Sequence, residues 1–201
     1  MLYRRHRAGV KRVRNYKEVK GLKLNIGCGR NRKDGWLNID IFHPAADLSL
    51  DMREEIPLSS GSSKIIYAED FLDCLEYPDE TPRFLRECFR LLEAGGILRL
   101  GVADTRWPML DYASVGDGRY FAACETERWH ARWCRTRMDH INYHFRGPRR
   151  GRIYYRYDLE TIQHVLDQAG FVEIRQCDHD PNIDAERHAL GILYVTAVRP
   201  D

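Results

Sequence analysis

The 201 residues make one domain of ordinary size, and 43% hydrophobic with 31% charged residues is the balance of a globular protein. A chain this long buries roughly 70% of the surface it exposes unfolded, so it needs neither a disulfide nor a metal in order to fold. No apolar run approaches the ~20 residues that cross a bilayer, and residues 1–20 lack the apolar stretch of a secretory signal, so the expectation is a cytoplasmic protein without a membrane span.

Residues 1–20 carry eight cations against Glu18 alone, a net +7, and are expected to form a basic N-terminal arm or short helix. A single domain over 21–201 follows. Leu22 to Ile26 alternates and runs into Gly27-Cys28-Gly29, which reads as a strand entering a glycine loop. Trp36 to Ile41 is a second strand with Asp40 near its end, and Lys64 to Ala68 another. Thr81 to Glu93 is the clearest helix: Pro82 suits its first turn, Phe84, Leu85, Cys88, Phe89, Leu91 and Leu92 share a broad face, and Gly95-Gly96 stop it. Ile97 to Val102 is the next strand. Residues 105–156 read as an irregular insertion rich in aromatics and arginines, in which 128–156 carries nine arginines against Asp139, a net +8. The rest of the chain sums to −13, an asymmetry that bears on partners rather than on fold. A helix capped by Asp158 ends at Gly170, and strands follow at Phe171–Ile174 and Ile192–Val198. Strands alternating with helices predict a largely parallel sheet covered on both faces.

The six cysteines have no C-x-x-C pair, and no Cys/His set has zinc-finger spacing. Free thiols in a reducing compartment are the expectation. His130, His140 and His144, ten and four residues apart, define no metal site, and none is assigned.

In an open α/β sheet, ligands bind beyond the carboxyl ends of the strands where strand order reverses. Gly27-Cys28-Gly29 and Asp40 sit at such ends. Together with Leu24–Gly29, the segments Gly35–Asp40, Tyr67–Asp73 and Phe84–Leu100 resemble, in order, the motifs of class I S-adenosylmethionine-dependent methyltransferases. Tyr157–Phe171 is similar to the helix and "AGF" that precede that family's last strands. The Gly35–Asp40 strand and His140–Phe145 further resemble a small type 11-like subgroup associated with sugar and glycan modification. The resemblance implies a Rossmann-like, doubly wound, mostly parallel seven-stranded sheet with its last strand antiparallel. Only Arg30 to Gly35 separate the loop from the second strand, so the first helix is expected to be reduced.

The resemblance also implies roles. Gly27, Cys28 and Gly29 would line the methionine moiety and ribose of S-adenosylmethionine, whose product is S-adenosylhomocysteine. Asp40, with Ile41, would hold the ribose hydroxyls. Asp51 and Met52, after a third strand, would read the adenine edge. Glu69 and Asp70 would face cofactor or acceptor. The departures are Asn25 for an acid, Asp73-Cys74 for Glu-His, and Ala94 and Ala103 for prolines.

For a hydroxyl acceptor a base is needed within reach, and Asp104, His140 and His144 are the candidates. The Arg/aromatic stretch suits an anionic or glycosidic acceptor, since arginine forks grip anions and aromatics stack on sugars. The expected activity is methyl transfer to a sugar, glycan or other small-molecule hydroxyl. Alternatives are an RNA methyltransferase gripping phosphates with its two basic segments and a non-catalytic cofactor-binding partner protein. A nicotinamide enzyme is disfavoured because Arg32 stands at the third glycine of the dinucleotide fingerprint.

Overall fold

In the computed structural model, which describes residues 2–147, 153–186 and 190–201, six strands form one sheet: β1 (Leu22–Ile26), β2 (Leu37–Ile39), β3 (Ser63–Glu69), β4 (Leu92–Ala103), β5 (Val172–Cys177) and β6 (Ile192–Val198). Their order is β2-β1-β3-β4-β6-β5, with β2, β1, β3 and β4 parallel and β6 antiparallel to both its neighbours. Leu24, Asn25 and Ile26 of β1 are all buried, as in a strand covered on both faces. The chain passes from β1 to β2 on one side and returns to β3 on the other, so strand order reverses beside β1.

The seven strands expected become six among the described residues. Where a further strand would lie beyond β2, the chain makes only an isolated parallel bridge, Ile39 with Leu48. Pairing stops there because Asn38 is already served: its backbone N–H donates to Asp47 Oδ2 at 2.9 Å, and its carbonyl accepts from Asp47 and Leu48. Residues 27–36 contain turns and no helix.

Helices α1 (Leu2–Val13), α2 (Glu80–Leu91), α3 (Arg106–Tyr112), α4 (Arg119–Thr126), α5 (Arg137–Arg146) and α6 (Leu159–Gln168) complete the described chain. In α2, Phe84, Leu85, Cys88 and Leu91 are buried, and in α6 Ile162, Val165 and Leu166; both join the main core with Leu24, Ile26, Ile66 and Leu98. The first of these ends two residues sooner than Gly95-Gly96 suggest, because those glycines pair instead: Gly95 N–H donates to Arg199 O, and Arg199 N–H to Gly96 O. Asp158 caps α6, accepting from Thr161 N at 2.9 Å.

Of the two readings of the basic N-terminal segment, arm or short helix, the chain takes the helix, and α1 packs on residues 41–51. Arg5 donates to Phe42 O at 2.7 Å, Asp51 N–H donates to His6 Nδ1 at 3.1 Å, and Val13 is fully buried. The insertion is not irregular over 106–146 but holds α3, α4 and α5, with a small core of their own built on Tyr120, Phe121 and Cys124. Arg149, Arg150 and Arg152 lie outside the described residues. No described helix is long and apolar enough to cross a membrane.

Candidate functional site

A cavity of about 550 Å³ opens at the carboxyl ends of β1 and β2, beside the point where strand order reverses. That volume lies in the range of small-molecule sites. Gly27 and Gly29 form its floor. Gly27 has φ +65°, and a Cβ there would stand 2.6 Å from the Phe71 ring, so only glycine fits. Gly29, with φ +47°, has nothing within 3.9 Å of its side-chain direction and leaves the cavity open.

The loop is held by two buried asparagines and the partly exposed Asp47 in place of a helix. Asn25 Nδ2 donates to Asn31 O and to Asn38 Oδ1, both at 2.8 Å. Asn38 Oδ1 also accepts from Lys33 N at 2.8 Å, and Asn38 Nδ2 donates to Asp47 Oδ2 at 3.0 Å. Asn25 is therefore spent on the loop and does not line the cavity. Its donor side chain does what an acid at that place cannot, since Asn31 presents a carbonyl.

Asp40 stands at the cavity wall just after β2. Its Oδ2 accepts from Gly29 N at 2.9 Å, while Oδ1 accepts from Phe42 N at 2.6 Å and His43 N at 2.8 Å. The carboxylate thus joins the glycine loop to the next turn, and Oδ2 retains capacity for a ligand hydroxyl. Ile41, Asp51, Met52 and Asp70 line the same cavity. Asp51 accepts from Arg53 at 2.9 Å and 2.7 Å, and that fork holds its carboxyl below the usual carboxylate range. Asp70 adopts φ +53°, a left-handed conformation unusual for a residue with a side chain.

Two expected cofactor residues point elsewhere. Cys28 is buried beneath the loop with its N–H donating to Ile39 O, and burial pushes its thiol up to about 11. Glu69 faces a buried polar cluster away from the cavity: it bonds Tyr67 Oη, accepts from Tyr194 Oη at 3.2 Å and from Ala185 N at 3.2 Å. Strand alternation explains it, since Glu69 shares the face of Tyr67.

The three base candidates do not line the cavity either. Asp104 Oδ1 accepts from Arg106 N at 3.0 Å and so caps α3. His140 and His144 are buried on α5. His144 Nε2 lies 3.2 Å from Thr105 Oγ1 and Nδ1 3.3 Å from Tyr120 Oη. Burial, then Arg156 and His130, push His144 down to about 3, so it is neutral at neutral pH. His130 Nδ1 faces His140 Nδ1 at 2.9 Å, with Cys124 Sγ 3.9 Å from His130 Nε2.

Sequence reasoning missed Phe42, Leu50, Phe71, Cys74 and Tyr154, which supply much of the apolar wall. Tyr154 arrives through a buried ion pair. Arg156 Nη1 is 2.7 Å from Asp73 Oδ2, with both side chains almost inaccessible, and Tyr154 N–H donates to Asp73 O at 2.9 Å. Burial pushes the Asp73 carboxyl upward, and Arg156 holds it back. The Arg156–Asp73 match was readable only as charge, since 83 residues separate the two.

No family model matches the sequence, and no curated protein does. Solved structures do match the fold. A SAM-dependent methyltransferase from Archaeoglobus fulgidus superposes with a TM-score of 0.54 at 13% identity, covering 95% of this chain and 91% of that one. A SAM-dependent methyltransferase from Methanosarcina mazei gives 0.51 at 16% identity, over 94% and 96%. The 1,6-didemethyltoxoflavin-N1-methyltransferase of Burkholderia thailandensis, with bound 1,6-didemethyltoxoflavin and S-adenosylhomocysteine, gives 0.53 at 14%, over 97% and 78%. The chain has the Rossmann-like α/β fold of SAM-dependent methyltransferases.

Proposed function

We propose that this protein is a class I S-adenosylmethionine-dependent methyltransferase that methylates a hydroxyl of a small sugar or glycan acceptor. The observation that carries the cofactor is the cavity itself: Gly27, Gly29 and Asp40 converge at the strand-order reversal, with Met52 and Leu50 as apolar wall. The residues fit the group. Gly29 leaves open space, Asp40 Oδ2 accepts from Gly29 N and keeps capacity for a ribose hydroxyl, and Asp51, to which the resemblance gives the adenine, lines the same cavity.

When bound, S-adenosylmethionine supplies an electrophilic methyl on a sulfonium sulfur. The protein's part is to hold an acceptor oxygen in line and to exclude water, which supplies most of the rate enhancement in such a transfer. Asp70, Phe71 and Tyr154 line the cavity and are assigned that task. Asp104 does not line the cavity, but it follows β4, whose Gly101 O accepts from N–H of the cavity residue Asp70, and it is the base assigned in this reading: Oδ1 accepts from Arg106 N, and Oδ2 takes the proton of an acceptor that reaches beyond the cavity. His140 and His144 carry no step in it.

The sugar acceptor rests on the subgroup resemblance of Gly35–Asp40 and His140–Phe145. The six cysteines, all free thiols, support a reducing compartment such as the cytoplasm. The exposed cations of α1 (Arg4, Arg7, Lys11 and Arg12) favour a second reading, an RNA acceptor, because they sit on the helix that borders the cavity. Methyl-labelled cofactor separates the two. Label entering a pool of free sugars and glycans, insensitive to salt, supports the first reading. Label entering RNA, with transfer falling steeply between low and high salt, replaces it. Cofactor binding without label in either pool supports a non-catalytic binding protein.

A further inference from the structure

The cluster at the base of the insertion plays no part in the reading above. Cys124, His130 and His140 bring one ligand atom each to within 4.8 Å of one another. They come from three pieces of chain: α4, the loop between α4 and α5, and α5. In the sequence they belong to a longer pattern, Cys124-x5-His130-x3-Cys134-x5-His140. The fourth member, Cys134, sits on the same loop but outside the group of three, so its thiol has to turn from Asp139 O to complete a tetrahedron. Cys134 N–H donates to Ala131 O at 2.9 Å, a turn that folds the chain back after His130, and Cys134 Sγ lies 3.9 Å from Asp139 O, beside His140.

We propose that Cys124, His130, Cys134 and His140 form a structural zinc site that ties the insertion together. Two imidazoles and two thiols are a ligand set that zinc takes in a tetrahedron, at ~2.1 Å to nitrogen and ~2.3 Å to sulfur. Those bond lengths separate neighbouring ligand atoms by roughly 3.4–3.7 Å. His130 turns Nδ1 to His140 Nδ1 at 2.9 Å and Nε2 to Cys124 Sγ at 3.9 Å, so its ring stands between the other two, and one ligand atom of each lies within 4.8 Å of the others. Small ring rotations bring one nitrogen of each histidine to the ion. Each thiol gives its proton to solvent as its sulfur binds, and no electrons move.

The surroundings explain what the ion would do. The loop 127–136 has no regular secondary structure, and the small core of Tyr120, Phe121 and Cys124 on α4 meets α5 through Ile141 and the rings of His140 and His144. Cross-linking both helices and the loop at one point supplies the rigidity that so small a core lacks. The other ring contacts of His130, to Tyr143 at 4.6 Å and His140 at 5.1 Å between centroids, hold it in place for binding. No metal is expected from the sequence, because no Cys/His set has zinc-finger spacing. Alternation of cysteine and histidine at Cys124, His130, Cys134 and His140 is the signal that spacing rule passes over, and His144 belongs elsewhere, on Thr105 and Tyr120.

The test uses the full-length reduced protein purified without chelator. Elemental analysis is expected to find a single zinc ion per chain. Replacing zinc with cobalt(II) is expected to give thiolate-to-metal charge-transfer bands and the intense visible bands of a tetrahedral site. Cys124→Ser, Cys134→Ser and His140→Gln should each weaken metal binding by about 100-fold or more, whereas Cys177→Ser, on β5, should not. The proposal is overturned if folded wild-type protein holds no metal and gives no cobalt–thiolate bands, or if the bands persist unchanged in both cysteine variants. Should a variant fail to fold, the cobalt spectrum of the wild type decides alone. This outcome is independent of whether the cavity binds S-adenosylhomocysteine.

Discussion

Asp40 has two tasks. It accepts from three backbone N–H groups of the glycine loop and the turn after β2, and it presents Oδ2 to the cavity. Asp40→Asn keeps the size and removes the charge and one acceptor oxygen. We expect it to weaken S-adenosylhomocysteine binding roughly 10–100-fold, or ~1.5–3 kcal/mol, the worth of hydrogen bonds to a charged group. Calorimetry checks this, with circular dichroism to verify folding; an unchanged dissociation constant in folded protein removes Asp40 from the site. His144 gives a pH prediction. Its folded pKa of about 3 lies below the unfolded value of about 6.5. Below pH 6.5 the unfolded chain binds a proton that the folded chain refuses. Stability is therefore full above 6.5 and lost as pH falls, by up to ~1.4 kcal/mol per unit for this one group. The groups facing it are Thr105, Tyr120, His130 and Arg156. Urea unfolding between pH 7.5 and 5 should show a steeper loss for wild type than for His144→Gln; equal slopes would mean the ring is already charged when folded. At this scale the glycines and Asp40 were legible, because a loop at a strand end needs those residue types. Cys28 and Glu69 were not, because facing depends on strand alternation and on partners up to 125 residues away.

Helix α1 tests how far an element's own propensity counts. In an isolated helix Gly9→Ala gains about 1 kcal/mol. Here a Cβ at Gly9 would meet Ser49 C at 2.8 Å and Leu50 Cδ2 at 2.9 Å. Backbone cannot yield as a flexible side chain does, so the helix must lift from residues 49–51, where Leu50 and Asp51 line the cavity. We expect a net loss of about 1 kcal/mol, roughly 2–4 °C in Tm, and weaker cofactor binding. A rise in Tm would show that α1 is held loosely. The Arg156–Asp73 pair makes the opposite case, an element fixed by charge. Arg156→Ala should cost roughly 3–5 kcal/mol, the loss expected when one partner leaves a buried charge uncompensated, and denaturant unfolding measures it. Strands and the two core helices were legible from periodicity. Helices α3, α4 and α5 were not, because they bury only two or three residues each and are short. One signal was available: Thr136 and Asp139 form a capping box at the start of α5, and T-x-x-D can be read from the chain. The third strand expected before Asp51 failed because the Asn38–Asp47 bonds replace ladder pairing with a single bridge.

Across the whole molecule, function is separated by face. The sheet and its two core helices build the floor, the loops beyond β1 and β2 form the cavity, α1 packs on the chain at 41–51 that borders it, and α3–α5 hold a small core of their own. The solved methyltransferases share that floor at 13–16% identity, which is why the architecture reads clearly while the acceptor side remains this chain's own. The central claim is that the cavity takes the adenosyl cofactor. Calorimetric titration of the wild-type protein with S-adenosylhomocysteine, with NADH in parallel, tests it most directly. The account predicts micromolar, one-to-one binding of the former and none of the latter. Absence of S-adenosylhomocysteine binding by folded protein, or equal binding of NADH, would contradict it.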